Sequence, residues 1–199
     1  MKQLISAVVL VFVATVAQAQ DLPALFKVTG VASDDVLNVR TEPRGGAEIV
    51  GTLAHDATWV EVVAREGNWG LVNTGEQSGW ASLRFLAQIP DTALPEHPRL
   101  ACFGTEPFWR LDVVQGQSAQ LSDPFGTDAF YTVGMMRAAS GRFWPFALSG
   151  SAGGEAMTLV ATPRNCSDGM SDRAYGLEAT VVTTGIAPVI LSGCCSLRP

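Results

Sequence analysis

Histidine is scarce in this 199-residue chain, which has only His55 and His97. His55 sits in the turn-like "LAHDA" and His97 stands ahead of Pro98 in a proline-rich stretch, so both read as solvent-facing. Without a placed histidine, a Cys-His or Ser-His nucleophile has no base. Cysteine is absent from the first half, and the four present (Cys102, Cys166, Cys194, Cys195) show none of the C-x-x-C spacing that zinc sites use. No H-E-x-x-H and no glycine-rich phosphate loop occurs. No metal and no cofactor is expected. Basic residues are few, 13 against 19 acidic, and the net charge of −6 repels phosphate backbones and anionic lipid surfaces. Nucleic acid is therefore not an expected partner.

One long apolar run is present, Leu4 to Val16, preceded by Lys2 and followed by the small-residue exit Ala17-Gln18-Ala19. That order describes a secretory leader over residues 1–19, cleaved after Ala19. The run is too short to cross a bilayer, which takes about 20 apolar residues. Gln20 occupies the position where lipid attachment needs cysteine. The expected product is exported, periplasmic or secreted, with no membrane insertion after cleavage. Cleavage removes Lys2 from the basic residues and none of the acidic ones, taking the net charge from −6 to −7.

Export to an oxidising compartment makes an even cysteine count read as disulfides. A bridge between the adjacent Cys194 and Cys195 is disfavoured by disulfide geometry, so Cys102 and Cys166 each take one of them. Which takes which stays open. Neighbours on a strand point to opposite faces, so Cys194 and Cys195 can serve two partners.

From residue 25 to 86 short runs rich in Val, Leu and Trp alternate with turn residues, as in "VLNVR", "EIVGTL", "TWVEVVA", "NWGLV" and "SGWASLRFL" separated by "EPRGG", "REGN" and "NTGEQ". Such spacing without a long 3.6-residue period predicts a small all-β barrel. "LNVRTEP", "VGTL", "NWGLV" and "SGWASLRFL" together resemble the bacterial SH3 (SH3b) family, with Gly79-Trp80-Ala81 where G-W-V is usual. The resemblance implies an SH3-like barrel over residues 23–88, a fold attached to envelope proteins and used in several cases to hold peptidoglycan or its peptides. Leu37 and Trp80 are expected in the core. Trp59 and Trp69 are candidates for a binding groove, since an aromatic ring combines apolar area with a polar N–H. Asn38 and Arg40 are further candidates, with turn and surface support as the competing role.

Pro90, Pro95 and Pro98 mark residues 89–98 as an extended, fairly stiff linker. Residues 99–199 again alternate β-rich runs with glycine and serine turns, predicting a meander of about seven strands closed as an antiparallel barrel or sandwich and stapled by its cysteines. "CFGTEPFW", "CSDGMSDRAY" and "LSGCC" resemble a group of uncharacterised bacterial envelope proteins sharing a C-x-G-T-E-P-F-W and C-S-D-G-M-S-D motif pair. That resemblance implies common descent and a shared β domain, and transfers no activity.

Glu106 admits two roles: a carboxylate with raised pKa acting with Asp168 or Asp172, or a structural group paired with a turn or with Arg173. The alternating Asp and Ser of "CSDGMSDRAYG" read as a turn built on Gly169 in preference to a calcium loop. Together these features describe an all-β exported protein that binds at the cell envelope and carries out no catalysis. Its SH3b module is expected to take peptidoglycan or a peptide, and its second domain an unidentified ligand. The alternatives are a carboxylate-based glycan hydrolase using Glu106 and a periplasmic adaptor or inhibitor contacting an envelope protein.

Overall fold

A computed structural model describes residues 22–126, 128–185 and 188–199. The leader expected over residues 1–19 lies outside the described residues. Among the described residues the chain forms sixteen strands and a 3-10 turn at Leu83–Phe85, and no helix is long and apolar enough to cross a membrane. The all-β expectation holds.

The first sheet contains β1 (Ala24–Val28), β2 (Val36–Arg40), β3 (Ile49–Ala54), β4 (Val60–Glu66), β5 (Trp69–Thr74), β6 (Gln77–Ser82) and β7 (Leu86–Gln88). Their order is β3-β2-β6-β5-β4-β1-β7. Gly67 and Gly75, both at positive φ, open the tight β4–β5 and β5–β6 turns. Phe26, Leu37, Val39, Val62, Val72 and Ala81 form the core. Trp80 does not join it. The inward positions of β6 go to Gly79 and Ala81, and a Cβ on Gly79 would press within 2.8 Å of the Arg40 carbonyl, so the alternation turns Trp80 outward, half-buried.

The second sheet holds β8 (Arg99–Thr105), β9 (Phe108–Val114), β10 (Ser118–Ser122), β11 (Asp128–Val133), the short β12 (Arg137–Ala138), β13 (Phe146–Ala152), β14 (Glu155–Cys166), β15 (Tyr175–Thr184) and β16 (Ile190–Leu197). Each long strand pairs antiparallel with the next in sequence, β11 pairs with β13, and β16 returns to β8. The result is a closed eight-stranded up-and-down barrel. Closure leaves less backbone edge exposed than an open meander would, although β11 and β13 meet at only two residue pairs. Its interior takes alternate residues, among them Leu111, Leu148, Leu159, Leu177 and Val181.

Disulfides lock the closure. Cys102 of β8 and Cys195 of β16 are directly opposed partners joined by one bridge, and Cys166 joins Cys194. The inward Cys195 and its outward neighbour Cys194 thus serve two partners, as strand alternation requires. No free cysteine remains among the described residues.

The proline segment is not a solvated spacer. Thr92, Leu94 and His97 are buried, and Leu94 joins the barrel core. His97, expected in solvent, is 4% exposed with Nε2 2.6 Å from the Arg198 carbonyl. Gln115, in the β9–β10 turn, explains the folding back: its amide donates to the carbonyls of Pro95 (3.0 Å) and His97 (2.7 Å) while its Oε1 accepts from Met136 N–H (2.8 Å). The segment closes the end of the barrel that carries this turn.

The two sheets also meet face to face. Leu25 of β1 points into the barrel's apolar cluster while its neighbours Ala24 and Phe26 fill the first core. Gly176 of β15 lies where a Cβ would meet Pro23 and the Val63 carbonyl at 3.0 Å, so the close approach needs glycine. Glu61 of β4 accepts hydrogen bonds from the Ser196 hydroxyl (2.6 Å) and Leu197 N–H (2.9 Å).

Candidate functional site

Cys194 and Phe103 face outward on β16 and β8, and the segment after Cys166 is drawn across this outer wall by the Cys166–Cys194 bridge. It ends its crossing at Thr105, whose hydroxyl donates to the Asp168 carbonyl at 3.0 Å. Between segment and wall lies a cleft of about 720 Å³, lined by Phe103, Glu106, Phe108, Asp168, Met170 and Glu178 among others. The three singled-out motifs therefore converge on one place.

Within "CFGTEPFW" several residues have a local reason. Gly104 leaves room for the Trp109 indole, since a Cβ there would touch Trp109 Nε1 and lie 2.6 Å from the Ser192 carbonyl. Trp109 Nε1–H donates to that carbonyl at 3.2 Å. Glu106 and Pro107 form the two-residue turn between the paired Thr105 and Phe108, through a cis peptide bond that defines a type VI turn. Glu106 is exposed at the tip, and its carboxylate has no hydrogen bond or ion pair among the described residues. The expected pairing with Arg173 does not form, because Arg173 turns away to donate to the Gly75 carbonyl at 2.6 Å.

Asp168 organises its turn. Its Oδ1 accepts from Met170 N–H (3.0 Å) and Ser171 N–H (2.9 Å), its Oδ2 from the Ser171 and Tyr175 hydroxyls (2.9 and 3.2 Å), and Gly169 supplies the positive φ. Burial pushes this carboxyl up, but the hydrogen bonds from Met170, Ser171 and Tyr175 outweigh it and hold the pKa below the usual aspartate value. The turn expectation for "CSDGMSDRAYG" matches this geometry.

Asp172 does not share the cleft. Its N–H donates to the Glu76 carbonyl and its carbonyl accepts from Ser78 N–H, a parallel bridge onto the β5–β6 hairpin of the first sheet. Asn73 extends the strap by donating to the Ala174 carbonyl (2.8 Å) and accepting from Ala174 N–H (2.9 Å). One loop thus forms the cleft with its first half and grips the first sheet with its second.

A second depression, about 590 Å³, lies on the first sheet and brings together Asn38, Arg40 and Trp69 with Asp35, Arg84 and Phe85. Arg40 also supports the following loop by donating to the Ala47 carbonyl at 2.7 Å. Trp59 lies elsewhere: it precedes β4, 47% exposed and at a φ of 61°. Residues 33–86 match the bacterial SH3 domain family. This stretch is a bacterial SH3 domain. The match runs from ahead of β2 to the start of β7, so the groove lies within it, while β1 completes the SH3 sheet from outside. A bacterial SH3 domain fits a cell-envelope binding role. No curated protein and no solved structure matches the chain.

Glu61 and Asn73 escaped sequence reasoning. A polar residue on the outward face of a strand reads the same whether water or a second domain lies beyond it. Tyr131, inside the barrel, was also missed, since one tyrosine in a β run carries no distinguishing pattern.

Proposed function

We propose that the chain is an exported envelope-binding protein whose SH3 groove takes peptidoglycan through its peptide. The observation that carries this reading is the shared placement of Trp69, Asn38 and Arg40 in one groove of the SH3 domain. Trp69 offers a stacking face, and Asp35 together with Arg40 and Arg84 offers charge of both signs to a zwitterionic peptide. Two disulfides support an oxidising, extracytoplasmic location. Incubating the protein with isolated peptidoglycan at moderate salt tests it. Co-sedimentation that Trp69→Ala abolishes and Trp59→Ala does not is the expected result; no pelleting by the wild type overturns it.

The glycan-hydrolase reading draws on one observation, that Glu106 and Asp168 line the same cleft. Against it, both oxygens of Asp168 are engaged in holding the loop. Glu106→Gln separates the readings: an unchanged melt with loss of a glycan-release activity supports hydrolysis, and no release activity in the wild type removes it.

A further inference from the structure

The barrel has two ends, and the proline segment closes only the one that carries Gln115. At the opposite end, between the Glu106-Pro107 turn and the start of β16, a pocket of about 410 Å³ descends into the interior. Its floor is apolar: Trp109, Leu121, Ala129 and Leu191. Phe108 and Phe125 stand at its lip, Phe125 93% exposed, so a bound molecule would take apolar surface out of water at the rim as well as inside. Barrel mouths of this size and lining are where small ligands seat.

Two polar groups give the pocket its chemistry. The Tyr131 side chain is 3% exposed, and its hydroxyl, unpartnered among the described residues, is not sealed in the core but reaches the open space of the pocket. A phenol oxygen placed there is free to bond a ligand in the pocket. Burial and then the charge of Glu155 push its pKa up, which keeps it a neutral hydroxyl and places Glu155 within electrostatic reach. Glu155 itself lines the mouth without an ion pair among the described residues, and Asp123 is the other charged lining residue. Among the described residues no cation lines the pocket. An anionic ligand would meet the like charge of Glu155 in an apolar mouth, and a cationic one would meet its complement.

We propose that this mouth is a binding site for a compact apolar amine: the apolar body rests on Trp109, Leu121 and Leu191, the ammonium pairs with Glu155, and the Tyr131 hydroxyl accepts one of its N–H groups. The pocket is separate from the SH3 groove and shares only Phe108 with the outer-wall cleft, and the proposal does not depend on either.

The test is calorimetric titration of the full chain with 1-naphthylmethylamine and, separately, with 1-naphthoate, bodies of the same shape and opposite charge. The amine is expected to bind about tenfold or more tighter, a difference of one close charge pair. Glu155→Gln should bring the two probes together. Tyr131→Phe, which removes one oxygen and leaves the packing, should weaken the amine about fivefold, the worth of one hydrogen bond. Ala129→Trp, which fills the pocket, should abolish binding, and a melting curve shows whether that variant folds. If it does not fold, the Tyr131→Phe and Glu155→Gln results decide. Failure of both probes to bind, equal affinity for the two, or amine binding untouched by Tyr131→Phe and Glu155→Gln overturns the proposal.

Discussion

The carboxylate of Glu61 on the SH3 sheet and the hydroxyl of Ser196 on the last barrel strand are joined by a 2.6 Å hydrogen bond across 135 residues of sequence. Leu197 N–H reaches the other carboxylate oxygen at 2.9 Å. Burial between the two sheets pushes the Glu61 carboxyl above the usual glutamate value, against the opposing pull of Leu197, Ser196, Arg198 and Arg173.

A group whose folded pKa is raised contributes stability that is complete below its unfolded value, here 4.5, and is lost as pH rises through the folded value. The melting midpoint should therefore fall as pH climbs from the ordinary glutamate range towards neutrality. Glu61→Gln keeps an acceptor for Leu197 N–H and should flatten that slope, whereas Glu61→Ala strands both donors and should cost about 1–3 kcal/mol. Parallel pH profiles for wild type and Glu61→Gln would sink the assignment.

Asp168 carries the opposite sign. Its folded pKa is lowered, so its contribution is present above the unfolded value of 3.8 and disappears as pH falls through the folded one. Asp168→Ala removes the acceptor for four donors in the loop, and trypsin should then cut after Arg173 several-fold faster than in the wild type. Equal cleavage rates would show that the loop is held by other means.

Gly104→Ala should destabilise the barrel by about 1–3 kcal/mol, because the new methyl collides with the Trp109 indole and the Ser192 carbonyl. Combining it with Trp109→Phe, which withdraws the indole nitrogen, should cost less than the sum of the two single changes. Strict additivity in chemical denaturation would count against the contact.

Native protein should show no reactive thiol on titration. In the chain-entropy picture the Cys102–Cys195 bridge, spanning 93 residues, is worth about 4.7 kcal/mol, and Cys166–Cys194, spanning 28, about 3.6 kcal/mol. Paired serine replacements should lower the melting midpoint in that order. The reverse order would mean that anchoring the Cys166 loop matters more than closing the barrel.

Much of the β architecture was legible because strand alternation and turn residues are local signals. "WVEVV" announces β4, and "NTGEQ" announces the hairpin that follows β5. The bridge between first and last barrel strands was also readable, from cysteines at both ends of one domain and the adjacency of Cys194 and Cys195. Contacts between modules were not. Proline content made residues 89–98 look like a spacer, but the decisive group, Gln115, lies outside that segment and is unremarkable in sequence. Asp172 stands four residues after Asp168, so either reads in sequence as a second carboxylate for Glu106, and the backbone pairing of Asp172 with the SH3 hairpin has no sequence signature. Trp80 failed as a core residue because size alone does not say which face of β6 it occupies.

Barrel closure also sets how the molecule carries load. Arg198 N–H donates to the Arg99 carbonyl at 3.0 Å, so the strand arriving from the SH3 side and the strand leaving towards the C-terminus depart side by side. Tension between those two exits peels β8 from β16 in an unzipping geometry, one hydrogen bond at a time, which is the weaker way to pull a sheet apart. Cys102–Cys195 stands just inside the first bonds to go. Rupture halts there, and the rest of the barrel bears no force until sulfur is reduced.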